Sequence, residues 1–208
     1  MRTGALAAAL LLAACYPGGA ETVQDLDSVT TQHDPAASFS TLRTYALPDT
    51  IQEVSAEGGQ PLPMDHSYDT RIISRVASNL DAIGLRRVDP SVESPDVNVL
   101  VTFAATRYTE YTSYSFYDLW PGWAGFGGYD ATWGVYYPWA SGTAYVTVID
   151  AGSLRIDMLD QRTADASLKQ LTAIWAASID GLLAGDKESI VQRIEKGIDT
   201  AFAQSSYL

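Results

Sequence analysis

Cysteine and histidine, the side chains that most often serve as nucleophiles, bases and metal ligands, occur only three times in 208 residues: Cys15, His33 and His66. Cys15 has no second cysteine with which to form a disulfide. Asp65-His66-Ser67 holds the three residue types of an acyl-transfer triad. Adjacent residues point apart, however, and a triad is assembled across a fold, so this stretch reads as a solvated loop. Asp157, Asp160 and Asp165 are spaced as candidates for a calcium site. The loop spacing and glycine of an EF-hand are missing, and a solvated strand edge and turn is expected there. No G-x-S-x-G or H-E-x-x-H occurs, and Gly125-Phe126-Gly127-Gly128 lacks the Lys-Ser/Thr of a phosphate loop. The chain is therefore expected to be no enzyme, with no catalytic residue, metal or cofactor. A carboxylate-dependent hydrolase or transferase is the alternative, since 25 acidic residues always offer pairs.

Those 25 acidic residues face 13 basic ones, a formal net charge of -12, with a pI near 4.3. Such a chain repels phosphate backbones, and no nucleic-acid partner is expected. Hydrophobic residues make up 47% and charged residues 18%, and mean hydropathy is -0.02. These values exclude disorder, collagen and a polytopic membrane protein. One domain is the natural count at this length.

Met1-Arg2 is a short basic start, and Gly4 to Ala14 is an uncharged apolar run. The run is shorter than the about 20 residues of a membrane span and fits the apolar region of a secretory signal. It ends Leu12-Ala13-Ala14-Cys15, which resembles a bacterial lipobox. That resemblance implies cleavage before Cys15, a diacylglyceryl group on its sulfur and a further acyl chain, palmitate, on the new amino terminus. Two or more chains anchor a protein stably. The residue after the cysteine is Tyr16; the lack of Asp there implies, by the same resemblance, the outer membrane, with the protein on its periplasmic side. Residues 1–14 are thus expected as a lipoprotein signal peptide and 15–35 as a tether, broken at Pro17-Gly18-Gly19. Within the tether, Val23 to Thr31 can form a strand.

Residues 36–208 are expected as one domain. Phe39 to Leu47 reads as a strand stopped by Pro48, and 49–67 as a long loop. A helix follows, with Asp69 as N-cap, the stripe Ile72, Val76, Leu80 and Ile83, and Gly84 just past its end. Leu85 to Val88 is a short strand. Val97, Val99, Val101 and Phe103 alternate with Asn98, Leu100, Thr102 and Ala104, as on a sheet covered on one side. Val146 to Ile149 is a further strand. Leu154 to Met158 and Leu168 to Ile179 form an antiparallel pair through a turn at Gln161 to Asp165. The last helix starts at Asp186 and carries Ile190, Ile194, Ile198 and Phe202. The order predicts an α+β two-layer sandwich: a largely antiparallel or mixed sheet with two helices on one face.

Residues 108–145 form an aromatic, glycine-rich insert, with 14 of the chain's 22 aromatics and six of its glycines. Tyr108, Tyr111, Tyr114 and Tyr117 recur every third residue, which on a strand throws them to alternate faces. Two readings stand side by side: a padded hairpin stacked on the sheet, or a recognition surface for sugar rings, lipid headgroups or protein. Tyr111, Tyr114, Trp120, Trp123, Trp133 and Trp139 are its candidate binding residues.

Four stretches together resemble the bacterial lipoproteins of domain-of-unknown-function family 4136. They are Asp34 through Phe39 to Thr44-Tyr45, Leu80 to Leu85, Pro95-Asp96-Val97-Asn98-Val99, and Gly152-Ser153-Leu154-Arg155-Ile156-Asp157 through Asp160 to Thr163. Trp175 sits near the family's Trp, and the resemblance spans about residues 34 to 202. Leu47 stands where the family usually has Trp, and Ala176-Ala177 where Arg-Gly is common. The resemblance implies an envelope lipoprotein with no assigned activity. The function expected from both readings is an outer-membrane-anchored periplasmic binding or scaffold protein. Its partners would be the membrane, through the lipid, and envelope proteins or peptidoglycan. An accessory subunit of an envelope transport or assembly complex is a further alternative.

Overall fold

The computed structural model describes residues 27–54, 65–104, 108–110, 133–139, 147–149, 152–182 and 185–208. Alternating apolar residues build its longest strands: β5 (Val97–Ala104), β9 (Ser153–Asp165) and β10 (Gln170–Asp180). In register, Val99 stands beside Met158 and Val101 beside Ile156, while Met158 stands beside Trp175 and Ile156 beside Ala177. β1 (Ser28–His33) adds antiparallel to β10. On the far side β2 (Thr44–Ala46) and β3 (Gln52–Val54) lie end to end, both parallel to β5. β4 (Arg86–Arg87) pairs parallel with β2. The main path is β1-β10-β9-β5-β2-β4, with β7 (Gly134–Tyr136) parallel to the start of β10. β6 (Tyr108–Glu110) and β8 (Thr147–Ile149) form a separate two-stranded sheet.

Two helices cover one face. α1 (Asp69–Ala82) buries Ile72, Ile73, Val76 and Leu80, and Gly84 past its end has φ +92°, a conformation glycine adopts without penalty. α2 (Lys187–Ala203) is capped by Asp186, which accepts Ser189 N, and buries Val191, Ile194, Ile198, Ala201 and Phe202. Gly197 lets α2 approach β10 closely: a Cβ there would stand 2.6 Å from Ile179 Cγ2. Trp175 Nε1 donates to Ser205 Oγ at 2.9 Å in the core, fixing the helix's C-terminal end to the sheet. The fold is the expected α+β sandwich with a mixed sheet.

Several expectations need correction. The strand expected within the tether at Val23 to Thr31 is edge strand β1, Ser28–His33, so the residues from 28 on belong to the sheet rather than to a tether. The strand at 39–47 is only β2, because Phe39–Thr41 is a 3-10 turn whose Thr41 hydroxyl bonds back to Ser38 O. The 49–67 loop contains β3 and a 3-10 turn, His66–Tyr68. Asp69 is not the N-cap but the first helical residue; its buried carboxylate accepts Ile51 N at 3.0 Å. Ile83 lies past the helix and is exposed. The β9–β10 turn is not at 161–165 but at 166–169, where Asp165 Oδ1 accepts Ser167 N and Leu168 N. Most consequentially, the sheet is not covered on one side. Asn98, Leu100, Thr102, Asp157 and Leu159, on the face away from the helices, are as buried as the valines.

Candidate functional site

That second face buries polar side chains among apolar ones. β9 places Arg155 and Asp157 two residues apart, hence on one side of the strand. Arg155 stands between Thr102 of β5 and Ser178 of β10, and Asp157 between Leu100 and Ala176. Arg155 Nε donates to both Asp157 oxygens at 2.8 and 3.0 Å. The pair is enclosed: its side chains keep 18% and 1% of their surface. Tyr137, just after β7, lies over the guanidinium with its ring centre 4.9 Å from Arg155 Cζ, a cation–π arrangement. Burial and then Asp157 push the Tyr137 hydroxyl above its usual range. Burial pulls Arg155 down, but Asp157 and Tyr137 outweigh it, and the net shift is upward. One row away, Asp180 accepts Ser153 Oγ and Ser178 Oγ at 2.5 and 2.8 Å. Asn98 Oδ1 and Thr102 Oγ1 are buried with no hydrogen-bond partner among the described residues.

The chemistry this arrangement supports is attachment. A half-buried cation, fixed by its own carboxylate, holds an aromatic ring of the insert against the sheet. Trp133 and Trp139 flank β7 and are half-buried, and Trp139 meets Tyr137 edge-on with centres 5.5 Å apart. Cys15, Tyr111, Tyr114, Trp120 and Trp123 lie outside the described residues. Sequence reasoning missed Arg155, Asp157 and Tyr137 as a unit. The Arg-x-Asp pair in an alternating strand was the available signal, but a one-sided sheet assigned it to solvent.

The other candidates separate into local roles. His66 Nδ1 meets Asp69 Oδ2 at 2.8 Å with the imidazole largely exposed, while Asp65 takes Lys187 Nζ at 2.6 Å, which holds its carboxyl below the usual range. Asp157, Asp160 and Asp165 do not converge: Asp160 pairs with Arg162 at 2.7 Å, and Asp165 caps the turn. Among the described residues no cluster of His, Cys, Asp or Glu can hold a metal ion, and no helix is long and apolar enough to cross a membrane. A cavity of about 420 Å³ opens beside Asp34, Thr41, Asp160 and Arg162, and one of about 320 Å³, of mixed lining, beside Phe39, Ser40, Leu42, Arg43, Leu85 and Met158. Asp96 is a clamp: Oδ2 accepts Arg43 N and Thr44 N at 2.7 and 3.1 Å, tying the start of β2 to β5.

The sandwich and its sequence define a known class. The model of a family described as a domain of unknown function (DUF4136) matches residues 29–205. The chain belongs to that family. A DUF4136 family protein from Bacteroides thetaiotaomicron shares 24% identity at a TM-score of 0.62, over 88% of this chain and 97% of that one, and so shares the fold. A PDZ domain protein from Parabacteroides distasonis (11% identity, TM-score 0.43, 88% of this chain and 36% of that one) and the PelC dodecamer from Paraburkholderia phytofirmans (10% identity, TM-score 0.37, 85% of this chain and 96% of that one) are too distant to carry an argument. No curated protein matches.

Proposed function

We propose that the chain is an outer-membrane-anchored periplasmic lipoprotein, a non-enzymatic binding or scaffold protein of the cell envelope. The observation that carries the anchor is Leu12-Ala13-Ala14-Cys15, a lipobox-like end to an apolar run that contains the chain's one cysteine. What supports binding over catalysis is the way chemistry is spent. Asp157, Asp160 and Asp69 each engage a neighbouring side chain or backbone group, while Trp133 and Trp139 retain accessible surface beside the anchored Tyr137. Tyr and Trp suit a recognition surface because each joins an apolar body to a polar tip.

The anchor is tested by intact mass of the mature N-terminus and by outer-membrane fractionation. Acylated Cys15 is expected, and Cys15→Ser is expected to leave an unprocessed precursor without lipid. A free thiol at Cys15 would sink the reading. Binding is tested with isolated peptidoglycan and by crosslinking pull-down from native envelopes. Trp133→Ala with Trp139→Ala should lower capture while the protein stays folded at the assay temperature by circular dichroism; unchanged capture removes these two residues from the surface.

A further inference from the structure

The sheet's two edges end differently. β4 is two residues long, and its Arg86 and Arg87 are both exposed, the short charged edge that discourages further pairing. β1 runs six residues in unbroken register with β10, and its sequence, SVTTQH, contains no Lys, Arg, Asp, Glu or Pro. Its hydrogen-bond directions can be assigned. Asp34 N donates to Ile174 O at 2.9 Å, so the even-numbered residues turn toward β10. Neighbouring residues of an antiparallel strand alternate sides, so Val29, Thr31 and His33 turn N–H and C=O outward. Val29 O accordingly accepts a long 3.3 Å bond from Gln204 Nε2. Among the described residues no strand pairs on that side.

We propose that this edge joins a second copy of the chain, β1 against β1 and antiparallel, as one continuous sheet across a two-fold axis. A register centred on Thr31 sets Thr31 opposite Thr31 and Val29 opposite His33. Every outward-turned residue then meets another, as an isologous contact requires. Thr30 falls opposite Gln32, with no like charges facing. A slip of one residue would set the polar face of one copy beside the helix face of the other. Charge favours this site for self-association: the strand is neutral in a chain of net charge -12. The flanking Asp27 is paired with Arg193, and Asp34 Oδ1 accepts Ala36 N.

The test uses the full chain carrying Cys15→Ser, which removes the lipid site and the native thiol. Sedimentation should give twice the chain mass. Thr31→Pro removes an outward N–H and no bond to β10, and should return the mass to that of one chain while circular dichroism stays that of the parent. Independently, Thr30→Cys and Gln32→Cys proteins should form a disulfide-linked dimer when mixed and oxidised. These positions would form a non-hydrogen-bonded pair with Cα atoms about 4.5 Å apart, within disulfide reach. Thr30→Cys alone should crosslink far less. If Thr31→Pro fails to fold, the crosslinking decides. A single-chain mass at all concentrations, a folded Thr31→Pro dimer, or crosslinking indifferent to position would overturn the proposal, whether or not the edge takes up a foreign peptide.

Discussion

The helix face and the aromatic face of the sheet are equally shut off from water but solve burial differently. On the helix face, Val97, Val99, Val101, Leu154, Ile156 and Met158 are at most 2% exposed and belong to one hydrophobic cluster with the buried apolar residues of α1 and α2. On the other face, Asn98, Thr102, Ser153 and Asp157 are buried to the same degree, yet each carries a polar atom that costs free energy unless paired. The first face is held by area and shape, the second by a few specific bonds. Helices supply continuous apolar cover, which tolerates volume-conserving change. A ring held over a cation depends on one geometry. The second face is thus the more fragile per residue and the more specific.

The largest test of that contrast is Asp157→Ala. It strips Arg155 of the carboxylate that engages its Nε and leaves an enclosed, unpaired cation. Breaking a buried pair from one side costs about 3–5 kcal/mol, and the destabilisation should appear in denaturant melts. The double variant Arg155→Met with Asp157→Leu should recover most of that loss, since paired replacement by apolar groups is often neutral. Its Tyr137 should become more mobile, read from tyrosine fluorescence quenching. A single variant within about 1 kcal/mol of the parent would mean that solvent reaches the pair and that the face is not closed.

A pair of neighbours on β5 sharpens the comparison. Val101 points to the helices at 2% exposure and Thr102 to the aromatic face at 1%. Val101→Ala removes buried methyl groups and leaves a small void, at a cost of roughly 1–3 kcal/mol. Thr102 Oγ1 has no partner among the described residues, so Thr102→Val should be neutral or stabilising by up to about 1 kcal/mol. Urea midpoints at constant slope check both. A Thr102→Val loss as large as that of Val101→Ala would show that the hydroxyl is used.

The helix face was legible because its signal is periodic: Ile72, Val76 and Leu80, then Ile194, Ile198 and Phe202, announce stripes, and the β5 valines announce their partner. The α+β class followed. The aromatic face was hidden for a physical reason. Polar residues alternating with apolar ones read as solvent-facing, and for Arg155 it is Tyr137, distant in sequence, that lies over the side chain. Asp96 is legible as a motif residue, but its role depends on the backbone N–H groups of Arg43 and Thr44, some fifty positions away, whereas Asp160 engages Arg162 two residues along its own strand. Turn and edge positions failed for local reasons. Gln161 to Asp165 looks like a polar turn, yet Thr163 Oγ1 bonds Asp160 O and accepts Thr172 N, which carries the hairpin on past that point. Of the aromatic candidates, Trp133 and Trp139 are described, both half-buried.

The smallest expected effect concerns the same ion-pair chemistry in the opposite medium. On the outside of the helices, Arg75 Nε donates to Asp199 Oδ1 at 2.7 Å, with both side chains well exposed. Arg75 holds the Asp199 carboxyl below its usual value; burial opposes this, and Asn79 adds a smaller lowering. A carboxyl depressed on folding contributes stability above its unfolded pKa and loses it as pH falls through the folded one. Asp199→Asn should therefore lower Tm slightly at neutral pH. The gap should close on acidification through and below the carboxylate range, and molar salt should shrink it at neutral pH, since exposed pairs are screened. The Asp157→Ala gap should hardly respond to salt, because its pair is enclosed. Thermal melts of both variants, across pH and salt, separate the two media directly. If the Asp199→Asn gap survives acid and salt, packing between α1 and α2 rather than charge carries it. If the Asp157→Ala gap shrinks with salt as well, the second face is open to water and the contrast between the faces fails.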